Sequence, residues 1–278
     1  MGSLSNYAEN EFMDHLFNGV ATSITTVYVA LSTADPLDDA TGLTEPVGNG
    51  YARATITFGA AATRRVTQNA EVVFPQATGA WGTITHWALM DALTGGNMLA
   101  HGALDSSISP VSGNTPRIAS AEIYVQINAS TGGAGFTDYA VHSMLDLMFR
   151  NQTFSTPDTY IAIATATLSD SDEDTPADIT EENGTDYARK RVYANTGGTP
   201  DWSATSGGAI SNTDIILMID SGDWTVDDWD TMTSCAIVTA ISGAAKILAY
   251  DNNNIVDQRP RFGDIVRFNI GDFDISLS

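Results

Sequence analysis

The sequence predicts a mainly β chain, built as two tandem homologous antiparallel β-sandwich domains, each with one N-terminal α-helix. Three observations carry this expectation. The two halves of the 278-residue chain repeat the same short motifs in the same order. Apolar residues alternate with polar ones over many short stretches, the period of a strand with one buried face. Clusters of Gly, Asn, Ser and Asp punctuate those stretches at the spacing of turns.

The repeat comes first, because missing one misreads a whole fold. Tyr7-Ala-Glu-Asn-Glu-Phe-Met-Asp-His-Leu-Phe17 matches Tyr139-Ala-Val-His-Ser-Met-Leu-Asp-Leu-Met-Phe149 at Tyr, Ala, Asp and Phe. Val27 to Thr33 then matches Thr159 to Thr165, and Tyr51-Ala-Arg53 matches Tyr187-Ala-Arg189. Trp81 to Thr85 matches Trp229 to Thr233, and Leu99-Ala-His101 matches Leu248-Ala-Tyr250. Five matches in order place one whole domain in each half, since the period far exceeds that of solenoid or propeller units. The expected division is 1–128, a Gly-rich linker at 129–135, and 136–278. A linker of small residues is flexible, and if it is a free hinge each copy folds alone.

Each copy opens with a helix. Asn6 is the expected N-cap, with Glu9 completing a capping box, and Leu4, Tyr7, Ala8, Phe12 and Leu16 share one face. Gly19 is the expected stop. In the second copy Thr137 or Asp138 caps, and Tyr139, Met144 and Met148 repeat the stripe. The remainder reads as strands: Val27, Val29 and Leu31; Ala54, Ile56 and Phe58; Ile123, Val125 and Ile127 each alternate with smaller or polar residues. Gly48 to Gly50, Thr94 to Asn97, Ser112 to Asn114 and Asp251 to Asn254 are the turns.

Composition restricts the partners. Acids outnumber bases 34 to 12, a net charge of −22, which disfavours binding nucleic acid through its phosphates. The charge serves solubility and repulsion between free copies, or meets a basic partner surface. The imbalance is uneven: residues 1–130 hold 11 acids and 4 bases, residues 131–278 hold 23 and 8. No apolar run reaches the roughly 18 residues of a membrane span, and no signal peptide is expected. Cys235 is the only cysteine, so it forms no intramolecular disulfide, which suits synthesis in a reducing cytoplasm, and it reads as a buried core thiol.

The motifs carry little catalytic chemistry. His15, His86, His101 and His142 share no metal-ligand spacing, and His15 and His142 are expected on solvated helix faces. His86 aligns with Ser234 in the other copy, which points to a structural role. No nucleophile elbow, P-loop or dinucleotide fingerprint is present. The expectation is therefore no catalytic, cofactor-binding or metal-binding residues and no cofactor. Asp170-Ser-Asp172-Glu-Asp174, with Glu181 eleven positions after Asp170, has the ligand spacing of a calcium-binding EF-hand loop. Thr175 stands where that loop needs glycine, and the preceding segment is strand-like, so a solvated acidic loop is the competing reading. Tyr51-Ala-Arg53 and Tyr187-Ala-Arg189 read as strand entries, with each arginine on a rim or paired to a carboxylate. Trp81 and Trp229 follow turn residues, Asp227 and Asp228 in the second case, and anchor a loop or fill a partner's pocket. Asn128-Ala-Ser130, Asn151-Gln-Thr153 and Asn183-Gly-Thr185 are glycosylation sequons only in a secreted context.

The first copy resembles a family of tailed-bacteriophage virion proteins commonly labelled phage tail fibre proteins. The resemblance rests on Leu4-Ser-Asn-Tyr-Ala-Glu-Asn-Glu-Phe-Met-Asp-His-Leu-Phe17, Leu31-Ser-Thr-Ala-Asp-Pro36, Gly48-Asn-Gly-Tyr-Ala-Arg53, Phe74 to His86 and Asp91-Ala-Leu-Thr-Gly-Gly-Asn97. It covers residues 4–127; the second half enters through the internal repeat. It implies a non-enzymatic structural component of the phage particle, on the virion surface, with no catalytic residues attached. The expected partners are other virion proteins, either the major capsid protein or tail proteins, with homo-oligomerisation and without nucleic acid or membrane. Capsid decoration or cement, tail adaptor and fibre-associated roles remain open. So do a module binding a host surface receptor and a polysaccharide-degrading tail enzyme.

Overall fold

The structure, a computed structural model, describes residues 2–22, 24–131, 133–175, 177–182, 187–219, 229–253, 255, 260 and 264–277. The Asn183-Gly-Thr185 sequon, Asp227 and Asp228, Gly132 of the linker and Asn254 of the last turn lie outside the described residues. The first repeat carries β1 (Gly2–Leu4), α1 (Asn6–Phe17), β2 (Tyr28–Ser32), β3 (Ala54–Thr55), β4 (Arg65–Thr67), β5 (Val72–Val73), β6 (Ile84–Met90), β7 (Met98–Ile108), β8 (Arg117–Ile118) and β9 (Tyr124–Gln126). The second carries β10 (Ala134–Phe136), α2 (Asp138–Arg150), β11 (Thr159–Ala164), β12 (Asp174–Thr175), β13 (Lys190–Val192), β14 (Ala209–Ser211), β15 (Ile216–Ile219), β16 (Ser234–Val238), β17 (Ala245–Asp251), β18 (Ile265–Phe268) and β19 (Asp274–Ser276). The chain is mainly β, with two tandem repeated domains, as the patterning predicts.

Two compact units emerge. One holds Met1–Glu11, Thr22–Asn128 and His142–Phe154; the other holds Phe12–Ala21, Ala129–Val141 and Ser155–Ser278. The strands of each repeat thus stay together, whereas residues of both helices count with both units.

In the first unit the main sheet runs β3-β2-β6-β7-β1-β9-β4, and β5 pairs β8 in a separate ribbon. All its pairs are antiparallel except β1 with β9, which run parallel at Gly2 and Val125. That pair departs from the purely antiparallel expectation. In the second unit the order β13-β11-β16-β17-β10 repeats the first five strands, with β12 added beside β17. Here β14 pairs β19, as β4 pairs β9, and β15 pairs β18, as β5 pairs β8.

The ribbons are tied by one buried amide in each unit. Gln68 accepts from the Ile123 N–H and donates to the Ala70 and Ile118 carbonyls. Asn212 accepts from the Phe273 N–H and donates to the Asp214 and Asn269 carbonyls. A buried side-chain amide that satisfies three backbone groups replaces ladder bonds where strands end.

The one-face burial expected of the central strands does not hold. β2 buries Val29, Ala30, Leu31 and Ser32, and β11 is buried along its whole length. The second face is covered by loop residues: Ala40 and Leu43 pack on Ala30, Ala88, Met90 and Met98. Leu168 and Ile179 do the same over Ala162, Ala164 and Ala236. Small residues on that face let a loop lie close, so alternation in size stands in for alternation in polarity.

Each helix follows directly on a strand; α1 begins one residue earlier than expected, and α2 begins at Asp138 behind Thr137, one of its two expected caps. Leu4 ends β1 rather than joining the helix face, and Ala134 and Gly135, read from sequence as linker, lie in β10. Ser5, not Asn6, caps α1. Its Oγ accepts from the Ala8 N–H at 3.2 Å and donates to the Met98 carbonyl. Thr137 does the same for α2, accepting from Ala140 and donating to Ile247. Each hydroxyl thus satisfies a free helix N–H and ties the helix to the sheet. The capping box is not needed, because the Asn6 N–H donates to the Asp38 carbonyl. Gly19 (φ +67°) follows α1, and Asn151 (φ +52°) takes the same place after α2, the left-handed position that suits Gly or Asn.

The far ends of the helices explain why Asp and Phe recur in the repeated motif. Within the first unit, Phe149 meets Phe58 edge-on at 5.6 Å and Asp146 accepts from the Ala61 N–H. Within the second, Phe17 meets Trp202 at 5.1 Å and Asp14 accepts from Thr205 Oγ1. Phe12 adds an edge-on contact to Phe136 at 5.1 Å. His15 is buried, against the expected solvated face, because Phe12, Met13, Leu16 and Phe17 around it are buried as well. His142 is half-buried, and its Nε2 accepts from the Arg64 N–H at 2.9 Å.

Candidate functional site

Each unit contains one ionic brace built from the Tyr-Ala-Arg motif. Arg53 forks onto Glu45, with Nη2 to Oε1 at 2.5 Å, and its Nη1 donates to the Ala92 and Gly95 carbonyls. Tyr51 donates to Glu45 at 2.7 Å and accepts from the Leu31 N–H. Arg189 forks onto Glu181 in the same way and donates to the Ala240 and Gly243 carbonyls. Tyr187 donates to Glu181 and accepts from the Ile163 N–H. The brace fastens a strand, a loop and a hairpin at one point. Burial pushes both tyrosine hydroxyls well above their ordinary pKa, and the neighbouring glutamates add to it. The carboxylate expected beside each arginine is therefore present.

Each tryptophan completes the brace. Trp81 stands edge-on to Tyr51 at 5.2 Å and donates to the Asn49 carbonyl; Trp229 stands edge-on to Tyr187 at 5.5 Å. Both rings are buried in their own unit, so they anchor loops rather than fill a partner's pocket.

The acids of the calcium-loop spacing are bonded within this scaffold. Asp170 and Glu181, the first and last of them, have separate tasks. Glu181 belongs to the brace. Asp170 accepts from Tyr250 Oη at 2.8 Å and from the Ser130 N–H, and its carbonyl accepts from the Asp138 N–H. Their counterparts in the first unit are Asp38, bonded to His101 Nε2 at 2.8 Å with its carbonyl on Asn6, and Glu45. Those two lie seven positions apart, so the EF-hand spacing of the second copy is a longer loop between two scaffold acids. Asp172 turns to Ser169. Among the described residues no group of three or more His, Cys, Asp or Glu side chains is arranged to hold a metal ion. His86 bonds its neighbour Thr85 and sits opposite Ser32, as Ser234 sits opposite Ala164. No helix among the described residues is long and apolar enough to cross a membrane.

One open cleft of the first unit, of ≈ 480 Å³ beside the start of α1, is lined by Tyr7, Asp38, Asp39, Leu43, Arg53 and Asn97 among others. Its surroundings are acidic. Burial holds the Glu9 carboxyl up at about 7, with Asp38 adding repulsion, and burial with Glu11 and Asp91 raises the Tyr7 hydroxyl to about 12. In the second unit the counterpart of Tyr7 is Tyr139. There Lys246 lies over the ring at 5.0 Å from its centroid and pairs with Asp174 at 2.7 Å. The first unit has Asn97 and Met98 at that point of the sheet and no lysine among its residues. Sequence reasoning missed this cleft, because Tyr7 read as a core contact and Lys246 lay outside every matched motif.

No curated protein matches the chain. A family described as podophage GP4 fiber I protein gp80 matches it twice, over residues 3–126 and 135–276. The two matched segments coincide with the two sets of equivalent strands and braces. The chain therefore belongs to the podophage GP4 fiber I protein gp80 family, as two copies of its domain in tandem.

Proposed function

We propose that the chain is a non-catalytic structural component of the fibre assembly that docks its acidic surface onto basic side chains of another virion protein. The carrying observation is the cleft at Tyr7. In the second unit the equivalent aromatic face is covered by an ammonium from the chain itself, with an acid beside it. In the first unit the aromatic and the acids remain without that lysine and open to solvent, which suits a lysine or arginine presented by a partner. The net charge of −22 supports the same polarity. So does the use of the motif residues Arg53, Arg189, Glu45 and Glu181 within the fold, which leaves them no part in a reaction. Assembly as a closed homo-oligomer belongs to this reading.

Two measurements test it. A reconstruction of particles with and without the protein locates it: density in the fibre or at its base is expected, and density over capsid lattice points overturns the fibre role in favour of decoration. Reversing one cleft charge, Asp39→Lys, weakens rebinding to depleted particles more at low salt than at high salt. Unchanged rebinding at all salt concentrations overturns the docking face.

A further inference from the structure

The geometry points to a second binding site, inside the second unit, that accepts a single-ring aromatic group. It is a cavity of ≈ 180 Å³ lined by β10, β16 and β17 on one side and by Phe273 to Ser276 on the other, with Cys235 among its lining residues. The first unit shows what belongs there. Trp87 lies in β6 opposite Leu31 and Gly102, and Cys235 lies in β16 opposite Ile163 and Asp251, so the two occupy one position of the fold. The Trp87 residue is 2 % exposed, and its ring lies against Gly2 of β1 on one face of the sheet. A Cβ built on Gly2 would stand 2.2 Å from Cη2 of that ring and 2.9 Å from the Tyr124 carbonyl oxygen.

The counterparts of Gly2 and Tyr124 are Ala134 and Asp274, and both line the cavity. The second copy has a thiol where the first has an indole, with Ala134, Asp251 and Asp274 where the first has Gly2, Gly102 and Tyr124. The pairing of first strand with last also differs: β1 pairs β9 in the first unit, whereas among the described residues β10 pairs only β17. The space therefore lacks the ring and, among the described residues, a ladder that would close it.

Its size and lining select the occupant. An apolar cavity of about 150 Å³ elsewhere stays dry and binds benzene. Phe136, Ile237, Ala249 and Phe273 supply apolar walls of that size here, in a pocket that is partly open and has a polar side. The Ala134 methyl stands where the outer edge of the indole runs in the first unit, so a bicyclic ring is excluded and one six-membered ring fits. Asp251, Asp274 and Ser276 place polar atoms around the same space, which suits a phenol hydroxyl. The Cys235 thiol donates weakly to the Asp251 carbonyl at 3.6 Å, and burial keeps it neutral. A free aromatic molecule and a Phe or Tyr side chain of a partner share this chemistry.

The test is a titration of the full chain with benzene, phenol, indole and N-acetyl-phenylalanine amide, followed by the NMR signals of Phe136, Ile237 and Phe273. Saturable shifts with benzene and phenol are expected, with indole weaker by about tenfold or more, the cost of overpacking. Cys235→Phe fills the space and abolishes the shifts; Cys235→Met does so in part and covers the case in which the larger residue prevents folding. Saturation by the capped phenylalanine as well as by phenol assigns the site to a partner's side chain, and saturation by phenol alone assigns it to a free ligand. No saturable shift in the parent chain, or shifts that persist unchanged in folded Cys235→Phe, overturns the site.

Discussion

The two repeats differ where a ring or a cation is needed, and agree in the polar side chains that tie down backbone groups at the caps, ribbons and braces. Brace, cap hydroxyl, buried amide and helix-end Asp–Phe pair occur in both. Trp87 becomes Cys235, and the lysine over Tyr139 has no counterpart over Tyr7. The contrast teaches that a duplicated domain keeps the polar interactions whose loss would strand a buried group, and varies the apolar and surface positions where a replacement is tolerated. Each copy then shows what the other has given up.

The comparison can be broken most sharply at Trp87. Trp87→Cys, which copies the second repeat, leaves Gly2 of β1 without the ring packed on it and should cost about 3–5 kcal/mol in urea denaturation. A cost below about 1 kcal/mol would mean that the first unit closes without its ring and the equivalence fails. The braces come next. Arg53→Met and Arg189→Met each strand a largely buried glutamate and should each cost about 3 kcal/mol; adding Glu45→Leu or Glu181→Leu should recover much of the loss. Unequal costs would show that the two braces are alike in geometry only.

The caps are smaller. Ser5→Ala and Thr137→Ala should each cost about 1–2 kcal/mol, read as a fall in melting temperature, since each removes a helix cap and a tie to the sheet. The smallest effect concerns Glu9, present only in the first copy, where Val141 is its counterpart. Its folded pKa is raised from 4.5 to about 7, so between those values the folded chain keeps a proton that the unfolded chain loses. Stability therefore falls as pH rises through that window and levels above it. Glu9→Gln should remove the slope and gain about 1 kcal/mol at pH 8 relative to pH 4, a figure reduced for solvent screening of a half-exposed group. A parent chain with no such slope would sink this assignment.

Much of the scaffold was legible in the sequence because repetition marked it. Tyr51, Arg53 and Trp81 recur at Tyr187, Arg189 and Trp229, and the structure gathers each set around one glutamate. That Glu45 and Glu181 are the partners of the arginines was not legible, for a physical reason. Asp38 and Glu45 are separated by a shorter loop than Asp170 and Glu181, so the pair shifts between copies while its partners do not. The longer spacing then imitated a metal loop. Ser5 was missed because Asn6 with Glu9 makes an equally good cap on paper, and only the approach of the Asp38 carbonyl to the Asn6 N–H decides between them. The cleft was illegible because it depends on which side chain stands over Tyr7, and sheet register is needed to know that.

The unequal loops between the paired acids have a practical side. Nature has already lengthened one of them by four residues while both anchors stayed bonded. The longer loop of the second copy, between Asp170 and Glu181 and in the unit that does not carry the docking cleft, is thus the better place to splice in foreign sequence, since loop closure grows only slowly more costly with length. A short peptide tag carried there would turn the protein into its own marker, visible by antibody on intact particles without a fusion at either end of the chain.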